Sequence, residues 1–363
     1  PCWRSGAAKE KMNNFLRYHW PVLFFLSAAI LATVFSVDYQ QSIRAQLSLA
    51  LGLLCYVAVI IFTNTPSRFY SVLFAAAFSI FLATLFILPD EIMSQPDNPL
   101  LQIYKLSNAL FVVPNDVLIL AVMAPLMLGL AWTGDWRIRG LTIFYLVVAL
   151  IIGVNLQSRQ TVFLLLLGPV IVIALMRPRL AAPALFIGIV VGIISDGLSG
   201  WTLAHKIFLF PRTYVWHTAW VMFLDQPLTG QGPGLFKDLY FTFLGKAGYV
   251  IQELSDRRTM PWAHNLYLEQ LAERGVFGFF ALLGLLGAAM YRAAKFWRHA
   301  GSDLTRSLAS GVLAALIVLA ISGIAEATLS RLWVAISLLI LSALSTVAVR
   351  MLHQGVMKDT YQV

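Results

Sequence analysis

The feature that most constrains this chain is a series of apolar stretches, each about 20 residues long, that recurs along its whole length. An α-helix of that length matches the roughly 30 Å hydrocarbon core of a bilayer. Of the 363 residues, 59% are hydrophobic and only 12% are charged, a composition outside the usual range of soluble domains. The sequence therefore predicts an all-α polytopic membrane protein with about 10–12 transmembrane helices.

The apolar stretches predict ten spans, at residues 20–37, 45–63, 70–88, 117–132, 140–157, 160–176, 181–198, 275–293, 306–326 and 331–349. The amphipathic stretch 100–116 predicts either an interfacial helix or part of a re-entrant or additional pair of helices. Three segments result: a helix bundle at 1–198, a long loop at 199–274 in which short helices are expected, and C-terminal helices with a tail at 275–363.

The basic residues predict the orientation of the spans. If the amino terminus is cytoplasmic, fifteen of the 26 lysines and arginines lie in inside segments, and the short outside loops hold only Arg44, Lys105, Arg159 and Arg331. This asymmetry places both termini inside and the long loop outside, which is the periplasm in a two-membrane bacterium. Because topology accounts for most of the net charge of +9, nucleic-acid binding is not indicated.

Several classes of function are disfavoured by what the sequence lacks. The predicted spans have no charged residue at mid-depth, where ion-coupled transporters usually carry one. The outer loops have no D-x-D pair and no cluster of histidine, cysteine and aspartate, so neither a metal site nor a cofactor is expected. The common hydrolase motifs G-x-S-x-G and H-E-x-x-H are also missing.

The first polar stretch on the outer side is NLQSRQTVF (155–163), which holds Arg159 in a hairpin between two predicted spans. A guanidinium binds phosphate oxygens through a planar fork of N–H donors. The alternative is an interfacial arginine that reaches lipid headgroups while its stem lies on apolar surface. Both interpretations are compatible with this stretch alone.

The second polar stretch is FPRTYVWHTAWVMFLDQPLTGQGPGLF (210–236). Arg212, Trp216 and Trp220 are four residues apart, so on a helix they share a face suited to the membrane interface. The glycines that follow, in G-Q-G-P-G, predict a tight turn. That turn lacks the G-K-[ST] ending of a phosphate-binding P-loop, so it is weak evidence for phosphate binding.

The third polar stretch is PWAHNLYLEQLAERGVFG (261–278), directly before a predicted span. A helix that starts near Ala263 would put His264 on one face and Asn265 with Glu269 on the next. Histidine is the side chain that exchanges protons near neutral pH, although a histidine at a helix start often serves only as a cap or a satisfied polar group.

These motifs occur in a fixed order on one side of the membrane: S-R-Q-T in a hairpin, R-x-x-x-W, P-L-x-G-x-G-x-G-x-F, and H-N-x-x-L-E-x-x-x-x-x-G leading into a span. In this order the chain resembles the superfamily of O-antigen ligases and O-antigen polymerases, which are bacterial envelope glycosyltransferases. The resemblance covers residues 155 to 293, roughly.

The resemblance implies a periplasm-facing enzyme of the inner membrane that takes a glycan from undecaprenyl diphosphate, inverts the anomeric centre and uses no metal. For a ligase the acceptor is the lipid A core of lipopolysaccharide. His264 is then expected to be the general base, and Arg159 and Arg212 are expected to bind the diphosphate. Asn265, Glu269 and Trp216 are candidates for orienting the histidine or binding the acceptor.

Other interpretations stay open at this stage. Asn265 and Glu269 serve equally well as residues that satisfy the helix start and face solvent. Glu326 and Arg331, in the last outer hairpin, are expected either to join the site or to pair with each other. The runner-up function is an O-antigen polymerase, followed by a protein O-glycosylation enzyme. From another class, a lipid-glycan transporter is disfavoured by the charge-free interiors of the spans.

Overall fold

A computed structural model gives the structure of the chain and describes residues 6–79, 117–155, 158–198, 212–254, 259–260, 262–325, 328–329 and 331–355. All regular secondary structure in these ranges is helical, and no β-strand occurs in them. The predicted all-α class is therefore confirmed. The stretch 100–116 and Glu326 lie outside the described residues.

In the described residues before 199 there are eight α-helices: α1 (Gly6–Val34), α2 (Tyr39–Ala45), α3 (Leu47–Phe62), α4 (66–79), α5 (Leu118–Thr133), α6 (Trp136–Asn155), α7 (Arg159–Met176) and α8 (Ala181–Leu198). Five more are described after it: α9 (Thr213–Asp225), α10 (Phe236–Lys246), α11 (Leu266–Arg298), α12 (Asp303–Ser322) and α13 (Leu332–His353). The predicted short helices of the long connection are α9 and α10.

Within the part of the chain that the structure describes, six stretches are long and apolar enough to cross a bilayer: Phe15–Val34, Tyr39–Phe62, Trp136–Gly153, Leu266–Arg298, Asp303–Ser322 and Leu332–His353. Three shorter apolar helices in the same part occupy Leu118–Thr133, Gln160–Met176 and Pro178–Val190. The chain is thus a multi-pass membrane protein, as its apolar stretches predict.

The chain forms two compact units. The first unit comprises Pro1–Ala50 and Pro211–Ala288, and the second comprises Leu51–Phe210 and Ala289–Val363. In the first unit, α9 and α10 pack around a buried core that is rich in aromatic residues, including Tyr214, Phe236, Tyr240 and Phe243. This core supports the long connection that the sequence analysis singles out.

In the second unit, α12 packs closely against α5. A Cβ atom on Gly129 would lie 2.7 Å from the carbonyl oxygen of Ser307, and one on Gly311 would lie 2.9 Å from that of Pro125. Because small residues let helix backbones approach, these glycines permit the tight packing typical of membrane helices. Close packing of the two helices stabilises this contact, because the hydrophobic effect between helices is weak in lipid.

Candidate active site

The predicted site residues are distributed over both units. Arg212, Trp216 and His264 belong to the first unit. Arg159 is the first residue of α7, and Arg331 is a buried residue directly before α13; both belong to the second unit.

Arg212 and Trp216 lie at the start of α9, as the four-residue spacing predicts. The carbonyl of Arg212 accepts a hydrogen bond from the backbone N–H of Trp216 at 2.9 Å, so the helical turn between them is formed. Both side chains are half-buried, whereas Trp220, one turn further on, is 43% exposed. Arg212 and Trp216 are thus less exposed than Trp220.

The hydrophobic core brings the start of α9 and the histidine segment into one cluster. Tyr214 and Val215, close behind Arg212, are buried in the same core as Ala263, which precedes His264. Two motifs about 50 residues apart in the chain therefore share their structural support.

His264 adopts an unusual backbone conformation. Its φ is +51°, and in the described part of the chain it is the only residue other than glycine with a positive φ. For an L-residue this left-handed conformation costs about 1–2 kcal/mol. Such strain persists where the surrounding structure imposes it, and it is concentrated at active sites and ligand-binding positions.

The helix after His264 begins later than predicted. It starts at Leu266 rather than near Ala263, because the side-chain Oδ1 of Asn265 accepts hydrogen bonds from the backbone N–H groups of Tyr267 and Leu268, both at 3.0 Å. Asparagine is among the best N-cap residues. The predicted placement of His264 on a helix face is therefore wrong: it lies in the turn before the helix.

Asn265 and Glu269 differ from their predicted environment. Asn265 satisfies the helix start, as one interpretation predicts, but it is only 9% exposed, and Glu269 is fully buried. The solvent-facing interpretation is thus wrong for both. Since Asn265 is fixed by its cap bonds on one side of His264 and Ala263 is fully buried on the other, the backbone of the histidine is held on both sides.

Trp262 is a neighbour of His264 that the sequence analysis did not single out. Its indole Nε1–H donates to Nδ1 of His264 at 3.2 Å, and the two ring centroids are 5.8 Å apart in an edge-to-face arrangement. The contact joins residues two apart, one of which has a positive φ, so no periodicity in the sequence indicates it.

The glycine turn between α9 and α10 is formed as predicted. Gly230, Gly232 and Gly234 have φ values of +71°, +125° and +75°. Backbone N–H groups of the turn bind carbonyls of α11: Gln231 donates to Ala272 at 2.9 Å, and Gly232 donates to Glu273 at 3.0 Å. The turn is thus fastened to the helix that follows His264.

Glycine is required on both sides of this junction. A Cβ atom on Gly230 would lie 2.3 Å from the carbonyl carbon of Glu273, and one on Gly275 would lie 2.3 Å from the carbonyl oxygen of Leu228. Gly275 interrupts α11 with φ +62° and ψ −163°, a conformation that only glycine adopts readily. The interruption lets the segment around Leu228 lie against the helix backbone.

The anion that the glycine turn binds is a carboxylate of the chain itself. Glu273 Oε1 accepts a hydrogen bond from the backbone N–H of Phe236, the first residue of α10, at 3.3 Å. A helix N-terminus attracts negative charge in this way. Because this donor is used internally, the turn is a packing element rather than a phosphate site.

Gln231 links the same turn to the end of α9. Its buried Nε2 donates to the carbonyl of Met222 at 3.0 Å and to Asp225 Oδ2 at 3.1 Å. Lys246 binds the other carboxylate oxygen of Asp225 at 2.9 Å. Hydrogen bonds from Lys246 and Gln231 hold the pKa of Asp225 below its ordinary value. The turn therefore joins α9, α10 and α11.

A buried ion pair lies beneath the turn and was also missed from the sequence. Arg274 Nη1 is 3.5 Å from Glu273 Oε2, and the side chains of both residues are almost fully buried. The arginine side chain passes over Gly278, where a Cβ atom would lie 2.2 Å from the Cβ of Arg274. Two adjacent residues of α11 with opposite charges thus attract each other inside the unit.

Glu273→Gln is expected to destabilise the first unit by about 1–3 kcal/mol. The amide is a weaker acceptor for the N–H of Phe236, and the buried Arg274 loses its nearby anion. The measurement is the apparent melting temperature of purified protein, followed by tryptophan fluorescence. Asp238→Asn, which changes an exposed carboxylate of the same unit, serves as the control. Equal melting temperatures for both variants would contradict the assigned role of Glu273.

Among the residues that the structure describes, no group of three or more histidine, cysteine, aspartate and glutamate side chains is arranged to hold a metal ion. In the first unit, His264, Trp262 and Arg212 are half-buried polar residues.

Part of the chain is similar to a known protein family. A family model described as O-antigen ligase matches residues 116–283, a range that contains Arg159, Arg212 and His264. No curated protein matches the chain.

Proposed function

We propose that this chain belongs to the O-antigen ligase superfamily and transfers an O-antigen glycan from undecaprenyl diphosphate to the lipid A core of lipopolysaccharide, at the periplasmic face of the inner membrane. The matching family model supports a membrane glycosyltransferase of the ligase and polymerase type. The observation that carries the proposal is His264, strained and half-buried, beside Trp262 and immediately before the membrane helix α11.

The proposed reaction is a displacement at the anomeric carbon of the donor sugar. An acceptor hydroxyl oxygen forms the new C–O bond, while the bond from the anomeric carbon to the diphosphate breaks and its electron pair goes to the diphosphate oxygen. His264 takes the hydroxyl proton as general base, a contribution of typically about 10²- to 10⁴-fold. Attack opposite the leaving group inverts the anomeric centre. No nucleotide is needed, because the sugar diphosphate is already activated.

Arg212 is proposed to bind the departing diphosphate, and Arg159 stays a sequence-based prediction of a second diphosphate ligand. The fork of a guanidinium matches phosphate oxygens in two parallel hydrogen bonds, and such charge-assisted bonds strengthen as charge develops on the leaving group. This role also agrees with the position of Arg212 at the N-terminus of α9, whose dipole favours an anion. The reaction is proposed to proceed without a metal ion.

Arg212→Lys is expected to lower the rate of glycan transfer by about 10- to 100-fold, the value of a lost hydrogen bond to a charged group. The ammonium keeps the charge but does not reproduce the fork. Transfer is measured with purified protein and lipid-linked glycan. Arg298→Lys, an exposed position at the end of α11, is the matched control. Wild-type rates for Arg212→Lys would mean that this arginine is only an interface anchor.

The ligase assignment is tested separately from the polymerase alternative, because both reactions use the same donor chemistry. In a strain that lacks the gene, loss of a ligase leaves a bare core and accumulates lipid-linked polymer. Loss of a polymerase instead leaves a single repeat unit on the core. We expect the first pattern, and the second pattern would reassign the protein as a polymerase.

A further inference from the structure

We propose that Trp262 forms the acceptor side of the site: its indole N–H selects the tautomer of His264, and the indole marks the position that the acceptor sugar takes. This inference rests on the proposed function, since it names the residue that receives the acceptor. Trp262 is the side chain that hydrogen-bonds the histidine ring at Nδ1, at 3.2 Å.

The tautomer follows from the chemistry of the two rings. The indole of tryptophan has one polar atom, and its N–H only donates. Nδ1 of His264 must therefore be the acceptor of the bond to Trp262. A neutral imidazole carries a single N–H, so its proton lies on Nε2 and its basic lone pair lies on Nδ1.

The position of the lone pair determines where an acceptor hydroxyl must approach. If His264 removes the hydroxyl proton, the proton goes to Nδ1, where the indole N–H of Trp262 lies in the structure. The hydroxyl therefore replaces the indole as the partner of Nδ1 and comes in along the Trp262 side of the ring. In the absence of the acceptor, the indole N–H of Trp262 occupies the position that the hydroxyl takes beside Nδ1.

The indole suits a sugar as a neighbour in two respects. It presents an apolar body together with a polar edge, a combination that matches the alternating C–H and O–H groups of a pyranose ring. Trp262 is also half-buried rather than enclosed, so part of its surface is accessible. We assign the adjoining subsite to a pyranose that carries a free hydroxyl.

The backbone fixes the relative positions of the two rings. Ala263 is fully buried between them, and Asn265 is held by two cap bonds after them. His264 itself has a positive φ, and its ring contacts that of Trp262. The fold thus orders His264 before the acceptor binds, so little further entropy is lost in positioning the base for the reaction.

Two substitutions separate the contribution of the Trp262 indole N–H from that of its aromatic ring. Trp262→Phe keeps an aromatic ring and removes the donor that selects the tautomer of His264, so kcat for transfer should fall by about 2- to 10-fold, the bias that one hydrogen bond gives, with the acceptor KM nearly unchanged. Trp262→Ala removes both the N–H donor and the aromatic ring, so it should also raise the acceptor KM. The donor KM should not change in either variant. Trp220→Phe, an exposed tryptophan of the same unit, is the control.

The tautomer is read directly by ¹⁵N NMR of protein labelled at histidine, with the signal of His264 assigned by its loss in a His264 variant. We expect the proton on Nε2 in the wild type. A proton on Nδ1, or a Trp262→Phe enzyme that is as fast as the wild type or faster, would overturn the proposal, since removing the indole N–H would then leave the base unaffected or release it.

Failure of the acceptor role and failure of the proposed function give different results. A wild-type protein that transfers no glycan contradicts the proposed function, and the acceptor role of Trp262 with it, whatever the NMR shows. Transfer by the wild type together with an unchanged acceptor KM in Trp262→Ala contradicts only the acceptor role.

Discussion

Exchange of His264 for asparagine is expected to lower the rate of glycan transfer by about 10²- to 10⁴-fold, the usual contribution of a general base, without loss of folded protein. Asparagine has no group that accepts a proton near neutral pH. It does adopt the left-handed backbone more readily than most residues, so the φ of +51° at this position should be preserved. Transfer is measured with purified enzyme and lipid-linked donor.

The matched control is His217→Asn. His217 lies on α9 in the same unit, is exposed, and its Nδ1 is 3.2 Å from the hydroxyl of Tyr249. We expect this variant to transfer glycan at close to the wild-type rate. Appreciable turnover by folded His264→Asn would exclude the histidine as the base, and loss of activity in both variants would indicate a general effect of removing a histidine.

Gly230→Ala is expected to cost about 2–5 kcal/mol of stability, since the left-handed backbone and a forced contact both contribute. The new Cβ atom would lie 2.3 Å from the backbone of Glu273, and neither partner is a flexible side chain. The turn would have to leave α11, with loss of its two backbone bonds to that helix. Thermal unfolding in detergent, followed by tryptophan fluorescence, measures the effect.

Two other glycines separate the cost of the left-handed backbone from the cost of the forced contact. Gly248 has a φ of +83°, but a Cβ atom added there would have nothing within 4 Å, and Gly245 lies in α10 with equally open surroundings. Gly248→Ala should therefore show only the backbone cost, about 1–2 kcal/mol. Gly245→Ala should be neutral or stabilising. Equal stability of the Gly230 and Gly248 variants would contradict the docking of the turn on α11.

Much of the fold is predictable because it depends on local properties of the chain. Apolar stretches of membrane length are sufficient for the all-α multi-pass class. The glycine turn is predictable for the same reason: alternating glycines with a proline favour positive φ wherever they occur. The spacing of Arg212 and Trp216 likewise needs only a helical turn, which the structure contains.

The parts that were missed depend on contacts between distant segments or on the local geometry around His264. Glu273 is buried because its carboxylate meets the N–H of Phe236, 37 residues earlier in the chain. The helix start was misplaced because Asn265 is a stronger cap than the residues before it. The bond between Trp262 and His264 joins residues two apart, one of which has a positive φ, so no sequence pattern indicates it.

The measurement that tests the central claim most directly is reconstitution of the purified protein in vesicles with undecaprenyl-diphosphate-linked glycan and rough lipopolysaccharide. We expect glycan joined to the lipid A core, undecaprenyl diphosphate released in equal amount, and no loss of rate when a chelator removes divalent metal ions. Donor that only crosses the bilayer, with no glycosidic product, would identify a transporter and contradict the account.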